Sequence, residues 1–317
     1  AINSALAALA STGGTVSLPR GTFMVSGPLY VPSSVYLKGD SKRFTTIFRI
    51  AGSTGMGIRN TNHTTSDSQI TLSDFTYDGN QANCPNASRS ITMSSVTNAN
   101  VFRIRVINSV QFGLRFGQEG TGACSDIRVQ NCDFDSTTIY NELGLYETTR
   151  AWVEGCYFTN SAHTCIMIAG DSQNIIIRGN TFSNWGVLND GDGGGINSID
   201  TNRLIITDNI FRDHTTVSSA AIEITNVLGT ATGTIIANNV FYNVNGTIST
   251  GSAVGNIIIS NNYLDIATTS ISTGITVQRG NATITGNTVN GALEAGIAAR
   301  GKVSITGNVI KNTRVTG

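Results

Sequence analysis

The chain has 317 residues, a formal net charge of zero and only 13% Asp, Glu, Lys and Arg, about half the share in an ordinary soluble protein. Zero net charge gives no bulk attraction to nucleic acid or an anionic membrane, and no run of 18 apolar residues offers a membrane span. Glycine is frequent at 35, proline is rare at 4, and Asn, Ser and Thr crowd every segment, which suits short strands and tight turns better than long helices.

The chain opens on Ala1–Ala10, helical in composition and apolar spacing and placed to cover the open first coil of a solenoid. Gly13-Gly14 through Arg20-Gly21 then turns into short strands, with further turns at Gly27-Pro28 and Pro32. Residues 1–40 therefore read as a cap with first strands, and 41–317 as the coils of a single solenoid domain. From residue 127 the repeat is explicit. Ile127–Phe134, Ala151–Phe158, Ile175–Phe182, Leu204–Phe211, Thr234–Phe241, Ile257–Leu264, Ala282–Val289 and Val303–Ile310 share the pattern apolar-x-apolar-x-(Gly/Asn/Asp)-(Asn/Cys)-x-apolar. The sixth position reads Cys132, Cys156, Asn180, Asn209, Asn239, Asn262, Asn287 and Asn308, with gaps of 24, 24, 29, 30, 23, 25 and 21 residues. A gap near 24 fits one circuit of three short strands and three turns, so about ten coils of an all-β parallel β-helix are expected.

That column has a physical meaning. Gly, Asn and Asp tolerate the left-handed backbone of a tight bend. An inward Asn at each bend can satisfy its amide on the Asn of the next coil. Cys132 and Cys156 continue the column at a coil spacing of about 4.8 Å, either within disulfide reach or as buried free thiols. Five cysteines leave at least one unpaired within the chain.

A second register marks a front strand, one small residue before an inward aliphatic: Gly113-Leu114, Gly144-Leu145, Cys165-Ile166, Gly195-Ile196, Ala221-Ile222, Gly274-Ile275 and Gly296-Ile297. Strand alternation turns the next residue outward, giving the row Arg115, Tyr146, Met167, Asn197, Glu223, Thr276 and Ala298. Glu147 and Asp200 would point inward by strict alternation and are expected to mark strand ends.

Two stretches, Gly13–Phe23 with Val31–Gly39, and Ile70-Thr71-Leu72-Ser73-Asp74-Phe75-Thr76-Tyr77-Asp78-Gly79-Asn80, resemble the pectate-lyase-like right-handed parallel β-helix superfamily. The resemblance covers essentially the whole chain and is specific for fold. It implies a carbohydrate polymer lying along the front-strand face, served by outward side chains and flanking loops. The superfamily holds polysaccharide lyases, polygalacturonase-like hydrolases, uronan epimerases, phage tailspike depolymerases and some non-catalytic adhesins. The polygalacturonase set of Asn-Thr-Asp, Asp-Asp, Gly-His-Gly and Arg-x-Lys is incomplete here, and the Asp-Pro-His of bacterial mannuronan epimerases is missing. The resemblance thus sets a substrate class and no mechanism.

The central coils carry the candidate chemistry. Asp190 and Asp192 in the Gly-rich loop, Asp213 and His214 in the next coil's loop and Glu223 on the strand could form the paired carboxylates of a glycoside hydrolase. The same acids are an alternative calcium set; no cofactor is otherwise required. A lyase or epimerase would instead use His163 or His214 as base, Tyr146 as acid and Arg115 to neutralise a uronate carboxylate. Trp185 offers a platform for a sugar face, Met167 a shape-filling floor, and Asn197 and Glu142 polar contacts to substrate. The leading expectation is an enzyme cleaving an extracellular polysaccharide, hydrolytic ahead of lyase or epimerase, with a non-catalytic glycan-binding spike as the alternative of another class. Gly317 comes directly after a regular coil, so further chain or a partner is expected to cover it, as a monomer or a homotrimer. The protein is expected to be secreted or extracellular, or to sit on a phage tail surface.

Overall fold

An asparagine buried at every bend is stable only if its amide finds partners one coil away. In the computed structural model of the chain, Asn180, Asn209, Asn239, Asn262 and Asn287 are buried. Each donates its backbone N–H and its side-chain Nδ2 to the Oδ1 of the next, at 2.9–3.0 Å, and the row closes on Asn308. Nδ2 also reaches a strand carbonyl of the neighbouring coil, as Asn239 does to Ile206 and Asn262 to Ile236. The residues before them, Gly179, Asp208, Asn238, Asn261, Gly286 and Gly307, hold φ between 54° and 67°, the left-handed bend that the column implied.

The structure describes residues 1–117, 122–188, 193–214, 220–227, 232–251, 254–267 and 273–313. The fold is an all-β right-handed parallel β-helix of about ten turns with one short helix, Ile2–Ala8. Its strands fall into three parallel sheets, and the chain divides into two compact units, Ala1–Ala162 and His163–Gly317.

In the first unit the helix buries Leu6, and Asn3 pairs with the first strand of the third sheet: Nδ2 donates to the Pro28 carbonyl and Oδ1 accepts the Tyr30 N–H. That contact caps main-chain groups an edge strand would leave open. The core is a set of inward columns, with Phe134 stacked on Phe158 at 5.0 Å. In the second unit Phe182, Phe211 and Phe241 stack at 4.7 and 4.8 Å, their planes nearly parallel, spacings set by the strand separation.

All five cysteines are buried thiols, none of them in a disulfide. Cys132 Sγ donates to the carbonyls of Val101 and Gln130, and Cys156 Sγ to those of Val129 and Glu154. These are the two kinds of acceptor that Asn239 Nδ2 uses at Ile206 and Ala237, so the thiols stand in for the amide. Burial, then the Cys132 thiol beside it, pushes the Cys156 thiol well up, and burial raises the Cys124 thiol. Protonated buried thiols are inert. A thiol reagent is therefore expected to find none of the five in the native protein and all five after denaturation without reductant; a count of three after denaturation would mean a disulfide.

Candidate functional site

The third sheet of the first unit presents an outward row that pairs strand by strand as Tyr30, Arg59, Thr92, Arg115 and Gly144. Arg89 stands opposite Phe112, three residues before Thr92 and Arg115 on the same two strands. One arginine thus comes from each of three successive strands, Ile58–Asn60, Arg89–Met93 and Phe112–Phe116, at a spacing of about 4.8 Å per coil.

Aromatic faces hold these cations. The Arg115 guanidinium lies 4.2 Å from the Tyr146 ring centre and 5.1 Å from that of Phe112. Arg89 lies 5.8 Å from the Phe112 ring, and Arg59 5.8 Å from Tyr30. Tyr140, 44% exposed, stacks on Phe112 at 5.6 Å. Gly144 makes room for the stack, because a side chain there would begin 2.8 Å from the Tyr146 ring and 3.2 Å from that of Phe112. Cation–π contact fixes each guanidinium by its face and leaves its N–H edges for an anion. Nε and Nη2 of Arg59 and Nε of Arg89 are buried without a hydrogen-bond partner. Burial, and after it the charge of Arg115, lowers the Arg89 pKa, with Tyr146 opposing; an arginine so placed remains a cation at neutral pH. The arrangement is a dense positive strip between aromatic walls.

Arg115 and Tyr146, both expected from sequence, meet here, in a register two residues from the one expected. Leu114 pairs with Leu143 and Arg115 with Gly144, so Tyr146 reaches back over Arg115 from one step beyond. Arg115 is also more buried than an outward row suggests, at 6% exposed. Arg59 and Arg89 were missed: Gly57-Ile58 carries the small-then-aliphatic signal that gives Arg59, whereas Ser90-Ile91 gives Thr92 and Arg89 comes just before that pair.

In the second unit the expected row holds. Met167, Asn197 and Glu223 pair in successive strands, all half-buried. Ser249, between Glu223 and Thr276, belongs to the row and was skipped. His163 is half-buried just before the strand Thr164–Ala169, and its carbonyl accepts the Gly186 N–H. Glu147 and Asp200 have φ of 48° and 52° at the ends of Leu143–Tyr146 and Gly194–Ile199, the strand ends expected.

Four placements correct the sequence reading. Trp185 is fully buried, so its ring packs inside the coil and offers no platform to a sugar. His214 closes the strand Ile210–His214 instead of lying in a loop, is fully buried, and stacks on Trp185 at 4.1 Å. Burial drops its pKa to about 4, so it is neutral at physiological pH. The cause is common to both: Asn184 and Asp213 have φ of 49° and 54°, and each such turn swings the next side chain inward. Asp213 itself is an exposed turn residue whose Oδ1 accepts from Asn243 at 3.5 Å. It lies on a strand of the second sheet while Glu223 stands on the third, so the two do not share a strand face. Glu142 is fully buried rather than poised for substrate. Asp190 and Asp192 lie outside the described residues. Among the described residues no group of three His, Cys, Asp or Glu side chains gathers to hold a metal ion, and no helix is long and apolar enough to cross a membrane.

Comparisons agree with this architecture. By fold the chain is similar to PfbA, a surface adhesin of Streptococcus pneumoniae (16% identity, TM-score 0.79, 99% of this chain and 87% of that one). It is also similar to the A-module of the mannuronan C-5 epimerase AlgE4 of Azotobacter vinelandii (18%, 0.57, 99% and 91%). A third likeness is to the tailspike protein of E. coli bacteriophage HK620 in complex with a pentasaccharide (13%, 0.75, 99% and 63%). No curated protein matches the chain in sequence. A right-handed β-helix family model matches residues 143–314, and the model described as rhamnogalacturonase A/epimerase, pectate lyase-like, matches residues 1–216: the chain belongs to that pectate-lyase-like family.

Proposed function

We propose that the protein acts on an acidic polysaccharide outside the cell, bound along the third-sheet face of the first unit. The observation that carries this is the arginine of each of three successive coils, with buried donor nitrogens on Arg59 and Arg89 that no protein group accepts from. Buried polar groups without partners are costly, and planar guanidinium forks suit carboxylates. A chain of uronic acids along the coil axis would meet a cation at each step. The fold likeness to an epimerase, an adhesin and a tailspike is consistent with a polysaccharide partner and an extracellular setting.

For chemistry, this face favours proton abstraction beside a carboxylate over hydrolysis by paired acids. Neutralising the carboxylate lets the neighbouring C–H release its proton; Arg115 and Arg89 supply the charge. Tyr146, stacked on Arg115, is the group assigned to proton transfer. Acting as a phenolate, Tyr146 takes the C5 proton. If the resulting phenol passes it to the departing O4 as the C4–O bond breaks, the product is the C4–C5 unsaturated uronate of a lyase. If water delivers a proton to the opposite face of C5, the product is that of an epimerase. Of the hydrolase set, Asp213 and Glu223 stand on separate sheets.

The test is incubation with carboxylated and neutral polysaccharides, following binding, reducing ends and ultraviolet absorbance, with and without EDTA. Binding confined to carboxylated polymers is expected, with a conjugated-uronate absorbance from a lyase or an inverted C5 centre from an epimerase. Equal binding of neutral polymers, or reducing ends without absorbance, would defeat this reading.

A further inference from the structure

Glu142 lies beneath the arginine face. Its chain leaves the second sheet at Thr137, passes Tyr140 and enters the third sheet at Leu143. The side chain is fully buried. Oε1 accepts the Thr137 N–H at 2.9 Å. Oε2 is buried without a hydrogen-bond partner and lies 3.2 Å from where a side chain on Gly113 would begin. The Glu142 carbonyl accepts the N–H of Leu114 at 2.8 Å, next to Arg115. Two residues earlier, Tyr140 stacks on Phe112. One residue therefore ties the Tyr140 loop to the strand bearing Phe112 and Arg115 through both its main chain and its side chain.

A charged carboxylate with a bare oxygen in such a place has lost its water and gained only the hydrogen bonding of Thr137; a neutral acid avoids most of that penalty. We propose that Glu142 is a positioning residue for the arginine face: held as a neutral acid inside the coil, it fixes the Tyr140 loop and the Arg115 strand in the binding arrangement. This rests on the acidic-polysaccharide reading of that face. Burial raises the Glu142 pKa well above its ordinary value; the hydrogen bonds from Thr137 oppose this, and the charge of Asp135, on the strand Asp133–Thr137, adds to it. Arg115, on the strand packed against it, stands in the outward row and faces the other side of the sheet.

An acid whose folded pKa exceeds its unfolded value binds more protons when folded, so its stabilisation is complete below the unfolded pKa of about 4.3. It fades as pH rises towards the folded pKa, by at most about tenfold in equilibrium constant per pH unit. The experiment measures affinity for a uronic acid homopolymer, and the melting temperature, from about pH 5 to pH 9, where the polymer stays ionised. The wild type and Glu142→Gln, which keeps the shape and the acceptor for Thr137, are compared. Wild-type affinity and melting temperature are expected to fall together as pH rises, with affinity dropping about tenfold or more. Glu142→Gln is expected to stay flat and bind like the wild type at low pH. A glutamine variant that titrates like the wild type, or a wild type flat throughout, overturns the positioning role while leaving binding intact. Absence of binding by either protein at every pH overturns the acidic-polysaccharide reading and this role with it.

Discussion

Replacing Arg89 and Arg115 together by alanine is expected to weaken binding of an acidic polysaccharide about a hundredfold. A hydrogen bond to a charged partner is worth about 1.5–3 kcal/mol net. Two such contacts would predict more than that if they were independent. They are not independent: both guanidiniums lie near the Phe112 ring, at 5.8 and 5.1 Å, and the charge of Arg115 lowers the pKa of Arg89. Neighbouring sites couple, so a combined loss near 3 kcal/mol, or about a hundredfold, is the reasonable expectation. Arg115→Lys keeps the charge but loses the flat fork and much of the stack against Tyr146 at 4.2 Å, and should cost about tenfold. Titration calorimetry with a carboxylated polymer checks both, alongside a melting curve because Arg115 is buried. A loss below about threefold in the double variant, with the fold intact, would remove the arginine strip from the function.

The fold was legible because its registers depend on side-chain chemistry that repeats in the sequence. Asn180 to Asn308 sit where an amide must find another amide, and Gly179, Asp208 and Asn238 sit where φ must be positive; few other residues satisfy either demand. The site was less legible for two physical reasons. First, the front-strand signal is one small residue and one aliphatic, too short to find the early coils unaided, so Arg59 stayed hidden behind Gly57-Ile58, and Arg89 lies ahead of Ser90-Ile91, where the signal does not point. Second, the turns after the second sheet resemble loops by composition but act as corners. Ser136, Asn160, Asn184, Asp213 and Asn243 all have positive φ, and Thr137, Ser161, Trp185, His214 and Val244 come after them into the interior. A polar turn residue ahead of a Trp or His therefore marks an inward side chain in this chain, which is why Trp185 and His214 looked like a binding edge and form core.

Asn239→Ala is expected to be among the most destabilising single changes away from the arginine face. Its Oδ1 accepts the backbone N–H and the Nδ2 of Asn209, and its Nδ2 donates to Ile206, Ala237 and Asn262. Alanine removes all of these at once and leaves donors of Asn209 and the Ile206 carbonyl without those partners in a buried bend. Each buried group so stranded costs about 1–3 kcal/mol, giving roughly 3–6 kcal/mol in total, against about 5–15 kcal/mol for a whole domain. Asn308→Ala should cost less, because Asn308 is only half-buried and ends the row. It accepts from Asn287 as Asn239 does from Asn209, but its Nδ2 donates to the carbonyls of Ile284 and Thr306 and not on to another asparagine. Asn239→Asp should be no rescue, since a carboxylate accepts but cannot donate to Ile206 and brings a charge into the bend. Solenoid stability sums over coils and their neighbours, so the Asn239 variant should also unfold less cooperatively, as a second transition or a reduced denaturant slope. Guanidinium unfolding of the three variants beside the wild type decides it. Equal losses at Asn239 and Asn308 would show that the row contributes through composition alone, whereas the graded loss would show that each amide holds two coils in register.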